Sequence, residues 1–217
     1  MKLNHNNDIR QGLFLTFEGI DGCGKSLQAK KLAETLSENG HEVEFVREPG
    51  GDEISEKIRD ILLDAKHEKM SALAELFLYE AARAQLIDVL IGPALKEGKI
   101  VIADRFYDST VTYQGFGRGL SLDMIHQANA WACSGFNPDR TYYLDITWEE
   151  SLKRRLKLNG SEDRMENQSK AFFMKVREGY QHLAETDGRR ILVVNGMDPV
   201  EIVSTVILND VQLLLDC

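Results

Sequence analysis

The chain has 217 residues, 43% apolar and 28% charged, which suits about one globular domain and excludes collagen-like, fibrous and disordered chains. Asp and Glu number 35 against 26 Lys and Arg, for a net charge of −9. That is the opposite of what a nucleic-acid or anionic-membrane surface demands, although a local basic cleft remains compatible with it.

In chain order, the opening MKLNHNNDIRQG is polar, lacks the apolar stretch of a secretory signal and reads as a disordered tail over residues 1–11. Leu13–Phe17 is a strand. Ser26–Asn39 has helical spacing, with Leu27, Leu32 and Leu36 expected inward and Gly40 as the stop. A strand is predicted over Glu42–Val46, helices over Glu53–Asp64 and Ala72–Ile91, and a buried strand over Lys99–Ala103. A helix over Leu122–Cys133 and a strand over Thr141–Ile146 follow. Thr147 and Glu150 have capping-box spacing and open a helix to about Leu158. After a polar gap over Asn159–Gln168, Ala171–Ala184 is helical and Arg190–Val194 a strand. Asp198-Pro199 opens a last helix, with Asp as the cap and Pro at the first position. No segment reaches the roughly 18 apolar residues of a membrane span. Strands alternating with helices imply five parallel strands covered on both faces.

The three cysteines, Cys23, Cys133 and Cys217, are odd in number and far apart. They argue against a disulfide framework and for a reducing, cytoplasmic compartment. Neither they nor the five scattered histidines have zinc-ligand spacing.

The run Gly19, Ile20, Asp21, Gly22, Cys23, Gly24, Lys25, Ser26 fits the phosphate-loop pattern G-x-x-x-x-G-K-[ST], between a strand and a helix as the motif requires. Its backbone N–H groups can turn inward around phosphate oxygens, Lys25 reaches the outer phosphates, and the Ser26 hydroxyl can hold magnesium. The helix that follows adds a dipole favouring an anion. The expected architecture is a three-layer α/β/α fold of the phosphate-loop NTPase type, with a five-stranded parallel sheet. Residues 12–217 are expected to form one domain, with a mobile flap near 154–168. Cys23 reads as a small filler, the alternative being a redox-sensitive thiol.

Four blocks then resemble the thymidylate kinase family: FEGIDGCGKS (17–26), REPGGDEISEKIR (47–59), YEAARAQ (79–85) and DRFYDSTVTYQGFGRGL (104–120). Their order and spacing match from about Leu13 to the last helix, and the fourth block is the most specific. The resemblance implies phosphoryl transfer from ATP, with magnesium, to dTMP, giving ADP and dTDP for dTTP synthesis and DNA replication. It also implies a homodimer through long apolar helices.

Two polyanions must meet, so positive charge must lie between them. Arg105 follows the strand Lys99–Ala103, at the carboxyl end where ligands gather in an open parallel sheet, and can grip a phosphate with its planar fork. Asp104 stands where a strand-end carboxylate holds magnesium through water; a surface ion pair is the plainer reading of this dipeptide. Tyr79 and Arg83 are four residues apart on one helix face. The resemblance makes Tyr79, where Phe is common, the ring that stacks on the base, and Arg83 the donor to a thymine carbonyl. It puts Ser109, Thr110 and Gln114 in the acceptor site, with Thr110 and Gln114 along the base. Tyr113 lies under the sugar, where it clashes with a 2′-hydroxyl; taken alone, Tyr113 reads equally as a core residue. Asp21 faces the ribose 3′-hydroxyl by the same resemblance. Glu48 is a further candidate for the sugar, and the turn at Pro49 and Gly50 follows it. Asp52 stands where the family often has Thr, and the sequence assigns it no role.

An anionic phosphate acceptor needs no strong base, so catalysis rests on positioning and charge neutralisation. Lys25 and Arg105 supply part of the charge. With Gly22 in the loop where some relatives have a basic residue, the chain resembles the group that supplies the rest from the flap, here from Arg154 and Arg155. Leu158 and Asn159 stand where arginine is typical, and a solvated basic helix end is the alternative. A small-GTPase-like switch would need a late N-K-x-D, and none is present.

Overall fold

Five short strands form one parallel sheet in the order β2-β3-β1-β4-β5: β1 (Phe14–Glu18), β2 (Val43–Arg47), β3 (Ile100–Asp104), β4 (Arg140–Asp145) and β5 (Ile191–Asn195). The computed structural model describes residues 12–157 and 163–216. The expected tail over 1–11, the flap tip with Leu158 and Asn159, and Cys217 lie outside the described residues.

The chain leaves central β1 to build β2 and β3 on one side, then crosses to β4 and β5 on the other. The register sets Phe17 beside Asp104 of β3 and beside Tyr142 of β4. The gap above the end of β1 is therefore the switch point where such sheets bind ligands. β1 is buried throughout because both of its faces are covered, and its central Thr16 hydroxyl pairs with that of Thr141 at 2.7 Å. Leu15 and Phe17 pack with Leu32 and Leu36 of α1 (Lys25–Glu38) and with Val203 and Ile207 of α9 (Val200–Leu215). Leu27, expected inward, is exposed instead, because the helical turn sets it on a different side of α1 from Leu32. Phe14, Val101 and Ala103 pack on the opposite face with Leu86, Ile91 and Leu95.

Four of the five strands run one residue further than their apolar runs, to Glu18, Arg47, Asp104 and Asn195. Ladder hydrogen bonds continue past the last apolar side chain.

The remaining helices are α2 (Glu53–Leu63), α3 (Ala72–Leu86), α4 (Gly92–Lys96), α5 (Tyr107–Thr110), α6 (Leu122–Cys133), α7 (Trp148–Lys157) and α8 (Lys170–Thr186). The helix expected over 72–91 widens into a π-type turn at Ile87–Ile91 before α4. Pro93 there has no N–H to give and crowds the preceding turn, which the wider winding accommodates. α5 and a second wide turn over Val111–Gly117 were not legible as helix. Their glycines serve close packing: a Cβ at Gly117 would sit 2.6 Å from the Phe172 ring of α8. Thr147 caps α7 by accepting from the Glu150 N–H at 3.3 Å, whereas the Glu150 carboxylate goes to Lys153 and Arg154. The expected Asp198 cap is corrected. Pro199, in an extended conformation, precedes α9, and Asp198 accepts instead from the Asn195 amide at 2.9 Å.

Asp52 has a structural role. It is the N-cap of α2, accepting from the backbone N–H of Ser55 at 3.0 Å and of Ile54 at 3.2 Å. Asp52→Ala should cost about 1 kcal/mol, seen as a fall of roughly 2–4 °C in Tm, with turnover at 25 °C nearly unchanged; a large loss of turnover would mean that Asp52 acts in the site.

Candidate active site

The phosphate loop leaves β1 at Gly19 and enters α1 at Lys25. Gly22 adopts a φ of +78°, and a Cβ there would meet the Ser151 carbonyl at 3.0 Å and the Arg155 Cγ at 3.4 Å. The bare glycine thus lets α7 dock on the loop, fastened by the Ser151 hydroxyl donating to the Asp21 carbonyl at 2.6 Å. Ile20 and Cys23 are buried beneath the loop. Burial pushes the Cys23 thiol up, against the charge of Lys25, so it is a packing group and not a ready thiolate. Ser26 is exposed at the first turn of α1.

Asp21 joins two cations. Its Oδ1 lies 3.2 Å from the Lys25 ammonium and 2.6 Å from the Arg105 guanidinium. Burial raises its carboxyl, but Lys25 and Arg105 outweigh that and hold it well below the usual carboxylate range. Arg105 itself has a φ of +74°, rare for a side-chain-bearing residue. It also donates to Ser109 at 3.0 Å and to the Tyr113 hydroxyl at 3.1 Å, and its guanidinium lies 5.0 Å over the Tyr113 ring. Beneath it, fully buried Glu18 accepts from the N–H of Phe106, the Ser109 hydroxyl and the Tyr180 hydroxyl. Burial is the largest influence on Glu18 and raises its pKa despite Arg105 nearby. Glu18 and Tyr180 were not singled out in the sequence; Glu18 lies inside the FEG block, while Tyr180 carries no signal of its own.

Beside the loop lies an open cleft of about 90 Å³. Asp21, Glu48, Tyr79, Arg83, Arg105, Ser109, Thr110, Tyr113 and Gln114 all line it, brought together from β1, β2, α3 and the segment after β3. Pro49, Arg59, Leu63, Phe106, Asp163 and Met165 complete the wall. Arg59 and Phe106 belong to the quoted blocks, but nothing local marks Met165. Buried Arg83 spends four of its five N–H donors: two on Glu48, one on Glu80 and one on Asn129. It is thus a fixed wall with one donor left. The buried Thr110 hydroxyl has no hydrogen-bond partner, so it too is available to a ligand.

The far half of the flap is docked. Arg164 is buried, donating to the Leu62 carbonyl and to Glu75, both at 2.6 Å. Arg154 lies against the loop, its guanidinium 3.5 Å from the carbonyls of Gly22 and Cys23 and donating to Gly196 at 3.0 Å. Arg155 lies against the stacked rings of Trp148 and Phe173, about equally far from both, and donates to the Glu166 carbonyl. In this arrangement Arg154 faces the loop, and Arg155 ties α7 to the flap. Asp104 is buried with its Oδ1 unpartnered, a fit for a metal-bound water. Among the described residues no three His, Cys, Asp or Glu side chains converge as a cation cage.

The sheet order, the phosphate loop at the switch point and the walled second cleft define a phosphate-loop NTPase fold with room for two substrates. A family model described as thymidylate kinase matches residues 17–207. A thymidylate kinase of Chlorobaculum parvum is 44% identical over 93% of this chain and 96% of its own. One from Geotalea daltonii is 50% identical over 85% and 89%. The crystal structure of thymidylate kinase from Ehrlichia chaffeensis superposes with a TM-score of 0.76 at 33% identity, covering 92% of this chain and 98% of that one. The chain belongs to the thymidylate kinase family.

Glu48 makes the site pH-sensitive. Burial pushes its carboxyl up to about 7, with Arg83 opposing. A carboxyl raised in the folded state holds its proton more tightly there than in the unfolded chain. Its contribution to stability is therefore complete below the ordinary value of 4.5 and is lost as pH rises through about 7. Glu48→Gln cannot ionise, so its unfolding free energy relative to the parent should rise between about pH 5 and about pH 8. Denaturant titrations at both pH values check this; a constant difference would show that Glu48 is ionised throughout.

Proposed function

We propose that this chain transfers the terminal phosphoryl group of ATP to the 5′-phosphate of dTMP, giving ADP and dTDP on the way to dTTP. One observation carries the reading: Asp21 and Arg105 are shared by the phosphate loop and the acceptor cleft, so two bound phosphates would meet at that pair.

The loop N–H groups and Lys25 hold the donor phosphates, and Arg105 holds the acceptor phosphate. An acceptor oxygen attacks the terminal phosphorus of ATP as its bond to the bridging oxygen breaks, and ADP leaves. The acceptor's second pKa near 6 makes a strong base unnecessary, so charge neutralisation and alignment do the catalysis. Magnesium brought with ATP supplies further charge neutralisation, and Ser26 and Asp104 are the residues placed to hold it. Arg154, already against the loop, adds positive charge from the flap, and Arg155 keeps α7 and the flap together. Tyr79 stacks on thymine, and Arg83, Thr110 and Gln114 meet its edge. Tyr113 and Asp21 face the deoxyribose, Glu48 orients Arg83, and Ser109 orients Arg105.

The same reading takes residues 12–217 as one kinase domain working in the cytoplasm, where its substrates are made and where the free thiols of Cys23 and Cys133 stay reduced. It also takes the molecule as a homodimer. Exposed Phe77 on α3 and Trp131 on the adjoining α6 favour that assembly.

An ADP-release assay with dTMP, dUMP, UMP and dCMP tests the activity, with dTMP expected to be the best acceptor. In the same assay Arg105→Ala should lower kcat/KM for dTMP by about a hundredfold and change ATP binding far less. Equal weakening of both nucleotides would remove Arg105 from the acceptor phosphate.

A further inference from the structure

Glu75, at the first turn of α3, sits beside the cleft without lining it, and it is almost completely buried. Its two oxygens receive four hydrogen bonds. Oε1 accepts from the Gln114 amide at 2.7 Å and from Arg118 Nε at 3.1 Å. Oε2 accepts from Arg118 Nη2 at 3.0 Å and from Arg164 Nη1 at 2.6 Å. An ionised carboxylate offers about four lone-pair positions and no proton, so this one is filled. Burial favours the neutral form of Glu75, but the hydrogen bonds from Arg118, Gln114 and Arg164 outweigh it and lower the pKa. Glu75 is therefore an acceptor throughout the neutral range.

This fixes the orientation of a neighbour. Gln114 is buried, lines the acceptor cleft and can present either end of its amide. Facing a carboxylate that only accepts, it must give its NH₂ group to Glu75. Its carbonyl Oε1 is then turned away from Glu75, toward the cleft. A hydrogen-bond acceptor in that wall suits a pyrimidine whose N3 carries a proton, as in thymine and uracil. It opposes cytosine, whose N3 is itself an acceptor. The other two groups on Glu75 are the guanidinium of Arg118 and that of Arg164 from the flap, so the carboxylate is fully oriented when the flap is docked.

We infer that Glu75 is a specificity-determining positioning residue: by fixing the Gln114 amide with its carbonyl toward the acceptor cleft, it makes the site select N3-protonated pyrimidines over cytosine. The inference rests on the dTMP-kinase reading above and adds to it the source of base discrimination. Rejection here works by setting two acceptors against each other, a cost placed on the wrong ligand.

The test is the ratio of kcat/KM for dTMP to that for dCMP. The parent protein must first show a high ratio; if it uses both alike, or neither, the functional reading itself fails. Glu75→Gln keeps the size of the side chain but can donate as well as accept, which frees the Gln114 amide to turn over. The ratio should fall about ten- to a hundredfold, chiefly through a higher KM for dTMP and a gain on dCMP, with KM for ATP little changed. Gln114→Leu should lower the ratio to a similar extent, and the double variant should lose no more than either alone. If Glu75→Gln does not yield folded protein, Glu75→Asp takes its place: it keeps the charge that the two arginines need but withdraws the oxygen from Gln114, and the same fall is expected. An equal drop for both acceptors, or an unchanged ratio in a folded Glu75 variant, would make Glu75 merely structural. An unchanged ratio in Gln114→Leu would overturn the inference by itself.

Discussion

The site hangs on the Asp21 carboxylate. Lys25 from the phosphate loop and Arg105 from the end of β3 would repel one another across a water-poor cavity; Asp21 holds both within hydrogen-bonding reach. The arrangement has a cost that is visible in the backbone, since Arg105 occupies the left-handed region at +74°, which disfavours such a residue by roughly 1–3 kcal/mol. Contacts to Asp21, Ser109, Tyr113 and Tyr180 offset it. The result is a guanidinium already aimed where the acceptor phosphate would arrive, with little left to organise on binding.

Two further buried ionic clusters frame the cleft: Glu48, Arg83 and Glu80 on one side, and Glu75, Arg118 and Arg164 on the other. Buried ion pairs repay little of their desolvation as stability. Their value lies in geometry. Arg83 cannot swing because four of its five donors are spent, and Glu75 cannot turn because its lone pairs are filled. Together with Asp21 they convert flexible charged side chains into a rigid mould for a flat base, a sugar and a phosphate.

The flap enters this mould through backbone as well as charge. The Arg164 N–H donates to the Leu63 carbonyl at 3.0 Å, and its side chain reaches Leu62, so the flap closes over the end of α2. Arg155, packed against the stacked rings of Trp148 and Phe173, joins α7 to the same segment. α7, which docks on the phosphate loop, and the segment from 163, which borders the acceptor cleft, are thereby tied to one another.

Local chemistry was sufficient for much of this. The phosphate loop is legible because its function depends on backbone conformations that only a glycine spacing permits and on a lysine and serine next to it in the chain. The strands are legible as apolar runs because both faces of the sheet are covered, and Tyr79 and Arg83 share a face because helix geometry is local. Asp52 as a helix cap was within reach of the same rules. The extra polar residue at four strand ends was not, because an apolar run stops where hydrophobic burial stops while the hydrogen-bond ladder continues. Nor was the fate of Asp198: a cap signal competes with whatever else is near, and the Asn195 amide was nearer. Tertiary structure alone decided which charges meet. Glu75 lies 89 residues from Arg164 and 39 from Gln114, and no periodicity spans such distances. Whether an arginine becomes a free cation, a fixed wall or a clasp depends on the carboxylates that folding delivers to it.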